Sequence, residues 1–170
     1  MPSFLIKVVF GKWQTEPWLP AGELQAAALS DLRCSNNKLS LWKIDNTHSN
    51  LDRVITALSV NNKKMGIEQV HYVLLPTELI QSLGVKIEKS PGATLDKHAN
   101  SEWHYDIIDL SISKIVAIAK CIKDQTIGRK TESAVKTLVR QALKEKHIDI
   151  SRADKELKPM LEALTREASV

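Results

Sequence analysis

Glycine is scarce here, six in 170 residues, and that scarcity removes most phosphate-cradling chemistry at once. No Gly-x-x-x-x-Gly-Lys loop and no Gly-x-Gly-x-x-Gly turn is present, so the backbone cradles of nucleotide enzymes are missing. A Gly-x-Ser-x-Gly nucleophile elbow is missing too. Cysteine is scarcer still. Cys34 and Cys121 cannot build a disulfide framework and neither belongs to a Cys-x-x-Cys pair, so the expected setting is the reducing cytoplasm. No apolar stretch approaches the roughly 18 to 20 residues of a membrane span, so no membrane partner is expected. Met1-Pro2-Ser3, followed by Phe4 to Phe10, lacks a basic lead and a small-residue cleavage site, so no secretory signal is expected. Internal repeats and low-complexity runs are also lacking.

What remains is ordinary globular material, 43% apolar and 26% charged, in a length that suits one domain or one domain with a helical appendage. Residues 4–10 are short, β-branched and aromatic, which predicts a buried strand. A helix is predicted over 23–33, then a strand in which Leu39, Leu41 and Lys43 alternate with Ser40, Trp42 and Ile44. Leu51, Val54, Ile55 and Leu58 recur at helical spacing, with Asn50 as N-cap and Asn61-Asn62 as stop. A strand over 70–75, a short helix over 77–83 closed by Gly84, and a strand over 85–87 follow. Residues 90–100, polar and carrying Pro91-Gly92, predict an exposed loop and an internal boundary.

Beyond that loop the strand signal disappears. Ile108, Ile112, Ile115, Ala119 and Ile122 at spacings of 4, 3, 4 and 3 predict one docked helix over 101–123, with Asp109 and Lys120 facing water. Helices over 131–146 and from Ser151 complete the chain, with Ser151-x-x-Asp154 as a capping box and Pro159 marking a kink or a restart. The expected architecture is therefore α+β or α/β. A small mixed sheet of about four strands is followed by a helical C-terminal portion. Its parts are an α/β layer over 1–95, a loop and docked helix over 96–127, and a basic helical hairpin over 128–170, all in one compact unit.

Charge is distributed unevenly. Residues 1–85 hold eight Lys/Arg and seven acids, whereas 114–146 hold nine Lys/Arg against three acids. Such asymmetry points to a polyanionic or acidic partner. Arg129, Lys130, Lys136, Arg140 and Lys144 form the nominated nucleic-acid-backbone contacts, the last three at spacings of 4 on one helix face. The alternative is a solvated helix surface.

The densest reactive set is His98, Glu102, His104, Asp106 and Asp109, residue types that serve metal sites and acid/base pairs. No compact zinc or calcium signature organises them, and acids in the first turn of a helix also complement its positive end. Cys34 follows a predicted helix and makes a poor thiolate; Cys121 and His71 read as structural. Tryptophan supplies four of the eight aromatics. Trp42 and Trp103 read as core. For Trp13 and Trp18, beside Pro17 and Pro20, partner contact and core are equally weighted, and both are nominated as partner-binding.

The expectation is a non-catalytic accessory or regulatory interaction protein without a cofactor or a metal. It would dock through its basic helical end and loop tryptophans on a protein complex, an acidic protein surface or a nucleic-acid-containing assembly. One alternative is a small metal-dependent nuclease or hydrolase using His98, Glu102, His104 and Asp106. Another is a purely protein-binding regulatory subunit.

Overall fold

A computed structural model describes residues 2–32, 35–60 and 67–167. Alternation in three strands sets the architecture. β1 (Ser3–Val8) sends Phe4, Ile6 and Val8 to one face and Leu5 to the other; β2 (Leu39–Ile44) splits Leu39 and Leu41 from Trp42 and Ile44. β3 (Val70–Pro76) splits Val73 and Leu75 from Val70 and Leu74 in the same way. Strands apolar on both faces require cover on both. With β4 (Lys86–Lys89), β5 (His104–Ile108) and β6 (Gly128–Lys130) they form a six-stranded sheet ordered β4-β5-β2-β1-β3-β6. Every pairing is antiparallel.

Helices supply the cover. One layer consists of a 3-10 turn (Phe10–Trp13), α1 (Ala26–Leu29), α3 (Thr77–Ser82) and α5 (Ile112–Lys123), and its core joins Ile6, Leu41, Val73 and Ile107 to Trp13, Ala28, Ile80 and Ile118. The opposite layer consists of α2 (Leu51–Ser59), α4 (Lys97–Glu102), α6 (Glu132–Lys144) and α7 (Leu157–Glu167), which bury Val54, Ile55, Val139 and Leu161 on Leu5, Ile44 and Val70.

The mixed class expected from the sequence is present, with six strands among the described residues instead of about four. Both extra strands come from segments read otherwise. No helix spans 101–123: its first half is β5, and the helix begins only at Ile112. Tyr105, Ile107 and Ile108 follow strand propensity, and the helical spacing across Ile108 and Ile112 is coincidental. Between them Asp109 adopts φ 54°, a left-handed turn that ends the strand, and Ser111 then caps α5 by accepting from the Lys114 N–H. β6 was read as the approach to a helix. Gly128 lets it close on β3, because a Cβ there would lie 2.6 Å from the Tyr72 ring.

The 90–100 segment is not an exposed loop either. Thr94, Leu95, Asp96, Ala99 and Asn100 are buried. The Asn100 amide replaces a strand partner, accepting from the Thr94 N–H and donating to the Thr94 carbonyl. Asn50 stands at the α2 N-cap without capping it. Its side chain instead accepts from the Asp45 N–H and donates to the Lys43 carbonyl. The last helix starts at Leu157, capped by Asp154, with Pro159 in its first turn; Ser151 lies in a separate 3-10 turn (Ile150–Arg152). The helix predicted over 23–33 shortens to α1. Asn61-Asn62 and Cys34 lie outside the described residues.

Reassigning the 101–123 segment reverses one stability expectation. Ala119 is buried and Asp109 and Lys120 are exposed, but Ile112, expected in the core, is 82% exposed. Ile112→Ala should therefore shift the unfolding free energy by no more than about 0.5 kcal/mol in a denaturant titration. A loss of about 2 kcal/mol or more would restore the single-helix assignment.

Candidate functional site

The reactive cluster is dispersed by the β5 strand. His104 is buried, its ring edge against Trp42 and its Nδ1 3.0 Å from both the hydroxyl and the carbonyl oxygen of Ser90. The Ser90 hydroxyl donates to Asp106 at 2.7 Å, and Ser40 donates to the same carboxylate. Serine therefore bridges histidine and aspartate. A nucleophilic triad needs histidine in the middle to take the hydroxyl proton, so this set anchors residue 90 to β5 rather than activating an oxygen. His98 packs edge-on against Trp103, and Glu102 pairs with Lys89. Among the described residues no three His, Cys, Asp or Glu side chains converge as metal ligands. Cys121 is partly buried in the α5 layer, and burial raises its thiol pKa, away from a nucleophilic thiolate.

The basic stripe keeps its helical geometry and loses its unity. Lys136, Arg140 and Lys144 run along one flank of α6, beside the buried Val135, Val139 and Leu143, with Lys136 and Arg140 half-buried and Lys144 exposed. Lys136 is held by Glu132 at 2.6 Å, Arg140 by Glu167 at 2.6 Å, and Lys130 by Asp52 of α2 at 2.7 Å. Arg129 is one residue from Lys130 along a strand, so the two side chains leave opposite faces of the sheet. Lys130 joins the α2/α6 layer, and Arg129 stands beside His71 on the other. The five nominated cations do not make one patch.

The tryptophans divide as well. Trp13 is 7% exposed, and its indole N–H donates to Asp31 Oδ2 at 2.8 Å, so this nominated contact residue is a core residue. Asp31 also accepts from the Val9 N–H and the Lys12 ammonium, tying the 3-10 turn to α1. Trp42 is buried as expected, and Trp103 is half-buried with the Arg53 guanidinium 5.5 Å above its ring. Trp18 is 70% exposed.

Trp18 has company. Among the described residues the exposed large apolar side chains are Val9, Phe10, Trp18, Leu29 and Ile112. Val9 and Phe10 lie at the start of the 3-10 turn, Leu29 is on α1, Ile112 is on α5, and Trp18 lies in the segment that joins the 3-10 turn to α1; none comes from α2, α6 or α7. Helix α5 turns Ile112 and Val116 outward, and Val116 and Leu29 line a cleft of about 230 Å³ between α5 and α1.

A larger recess, about 480 Å³, opens at the sheet corner where β6 ends, lined by Val9, Phe10, Gly11, Gln69, His71, Ile127 and Arg129. Phe10 stacks on the His71 ring, centroids 5.3 Å apart at 22°. Burial lowers the His71 pKa and Arg129 lowers it further, so the ring is neutral near pH 7 and Arg129 is the one fixed cation on the rim. Sequence reasoning found Arg129 but missed Phe10 and His71. The run into Phe10 reads as continuous strand, and only the turn after Val8 swings Phe10 outward. Comparison with known proteins finds no matching family model, no similar curated protein and no similar solved structure.

Proposed function

We propose that this is a non-catalytic interaction protein of the cytoplasm that docks on a protein partner through its α1/α5 side. The observation that carries this reading is that the exposed large apolar residues Val9, Phe10, Trp18, Leu29 and Ile112 all come from the 3-10 turn, α1, α5 and the segments beside them, and none from the α2/α6/α7 layer. Scattered apolar residues need no explanation on a protein surface, but a set drawn from one run of elements, three of whose members line two clefts, supports an interface there. The test is co-purification from the native host with wild-type protein and with Trp18→Ser/Ile112→Ser as baits. One stoichiometric partner retained by the wild type and lost from the equally stable variant is the expected result. Equal retention by both baits, or no partner for either, overturns the reading.

The row of Lys136, Arg140 and Lys144 along one flank of α6 favours a second reading, in which α6 contacts the nucleic acid of an assembly. For phosphate contact Lys136 and Arg140 must exchange Glu132 and Glu167, which is feasible because exposed ion pairs contribute only about 0 to 1 kcal/mol. Three duplex phosphate contacts give a slope of log affinity against log salt of about −2.7. Lys136→Glu/Arg140→Glu should weaken binding equally for all sequences, because backbone contacts carry no base information. Titration of labelled DNA and RNA at about 50 and 200 mM salt checks it. No binding at the lower salt leaves the α1/α5 side as the docking surface.

A further inference from the structure

We propose that the corner recess at β6 receives an extended acidic-apolar segment of a partner protein, laid along the β6 edge with its carboxylate on Arg129. This rests on the interaction reading above and names the chemistry of one part of that surface. Topology supplies the first observation: among the described residues β6 is the edge strand next to β3, and no strand pairs with its outer side. An unpaired edge is a template for an extended chain.

Side-chain parity supplies the second. The recess is lined by Ile127 and Arg129 without Gly128, and by Gln69 and His71 without Val70. These are alternate residues, so the floor is one face of the sheet at its corner, with Val9 to Gly11 forming the wall. A chain added beside β6 would repeat that parity. An acid placed opposite Arg129 would have the residue two positions along on the same face, opposite Ile127, which lines the same recess as the exposed Phe10 and Val9. The matching segment carries an acid and an apolar residue two positions apart.

Charge supplies the third. Arg129 is exposed and has no carboxylate partner among the described residues, whereas Lys12, Lys130, Lys136 and Arg140 each have one. Its cross-strand neighbour His71 is neutral near pH 7, and none of the residues that line the recess is acidic. The other edge differs. β4 carries Lys86, Glu88 and Lys89, and Lys86 and Glu88 are paired with each other along the strand.

The probes are fluorescein-labelled hexapeptides, blocked at both ends, that alternate aspartate or glutamate with valine, isoleucine or phenylalanine. Controls replace the acid by lysine or N-methylate alternate backbone nitrogens. Polarisation titrations against the full chain should show saturable binding of the acidic-apolar set, loss with lysine, and loss with N-methylation. Arg129→Glu and Phe10→Ala should each weaken binding about tenfold or more at unchanged melting temperature, since both side chains are exposed. Failure of every acidic-apolar probe up to millimolar concentration overturns the proposal, as does binding indifferent to Arg129→Glu. Labelled single-stranded RNA is run alongside. RNA binding that depends on Arg129 while the peptides fail assigns the recess to nucleic acid and also overturns it. If the peptides fail but the Trp18/Ile112-dependent partner is still captured, the wider interaction reading survives.

Discussion

Asp96→Ala should cost about 3 kcal/mol of unfolding free energy. The carboxylate side chain is 4% exposed, and it accepts from Arg53 Nε at 2.7 Å, from Arg53 Nη2 at 3.0 Å and from the Ala99 N–H at 2.9 Å. The last bond caps α4, worth about 1 kcal/mol by itself. Removing the carboxylate also strands the Arg53 guanidinium over Trp103, and an uncompensated buried charge costs about 3 to 5 kcal/mol. Arg53 is 25% exposed and recovers part of that by reaching water, hence the lower figure. Arg53→Met/Asp96→Leu should lie closer to wild type than the two single losses summed, giving a coupling of about 1 to 3 kcal/mol in a double-mutant cycle. Burial acts to raise the Asp96 pKa, but the bonds from Arg53 and Ala99 outweigh it and leave it below 3.8. A depressed carboxylate stabilises the fold above its unfolded pKa. The contribution should be complete above about pH 5 and fade as pH falls below 3.8 toward the folded value. In Asp96→Ala that part of the acid dependence should vanish. A wild-type acid transition in the variant would show that the pair does not stabilise the fold.

Trp13→Ala should be at least as severe, about 3 to 5 kcal/mol, because it empties the space beneath the 3-10 turn. It also removes one of three donors to Asp31. Trp13→Phe should recover most of the volume and leave a residual of about 1 kcal/mol for the lost hydrogen bond. Trp18→Ala should change stability by less than about 0.5 kcal/mol. Chemical unfolding of the three variants separates these. Equal, small effects at both tryptophans would mean that Trp13 is a contact residue after all.

Those two tryptophans show what the sequence makes legible. Their local surroundings are alike, a polar loop rich in proline, and what separates them is Asp31, 18 residues from Trp13 and invisible to periodicity. β1, β2, β3 and α2 were readable because each repeats one local rule with its own residues. β5 was not, because Ile108 continues the spacing of Ile112, Ile115 and Ala119 although a left-handed Asp109 intervenes. The end of α6 was misjudged for a similar reason. Lys146 takes the left-handed position that usually favours glycine, and the His147 N–H closes the helix on the Ala142 carbonyl. At the candidate site Arg129 was legible as a charge. Its separation from Lys130 was not, since opposite faces follow only from knowing that 128–130 is a strand.

The order β4-β5-β2-β1-β3-β6 has a consequence for synthesis. β1 precedes the other five strands in the chain and is one of the two innermost, and its six-residue ladder is with β3, which ends at Pro76. At about 5 to 20 residues per second, β1 leaves the ribosome several seconds before its principal neighbour. During that interval β2 can pair with only Ser3, Phe4 and Leu5, so Ile6 and Val8 stay uncovered and are a natural target for a chaperone that holds emerging chains. Release should follow the appearance of β3, while α6 and α7 close the second layer only after all six strands have been made.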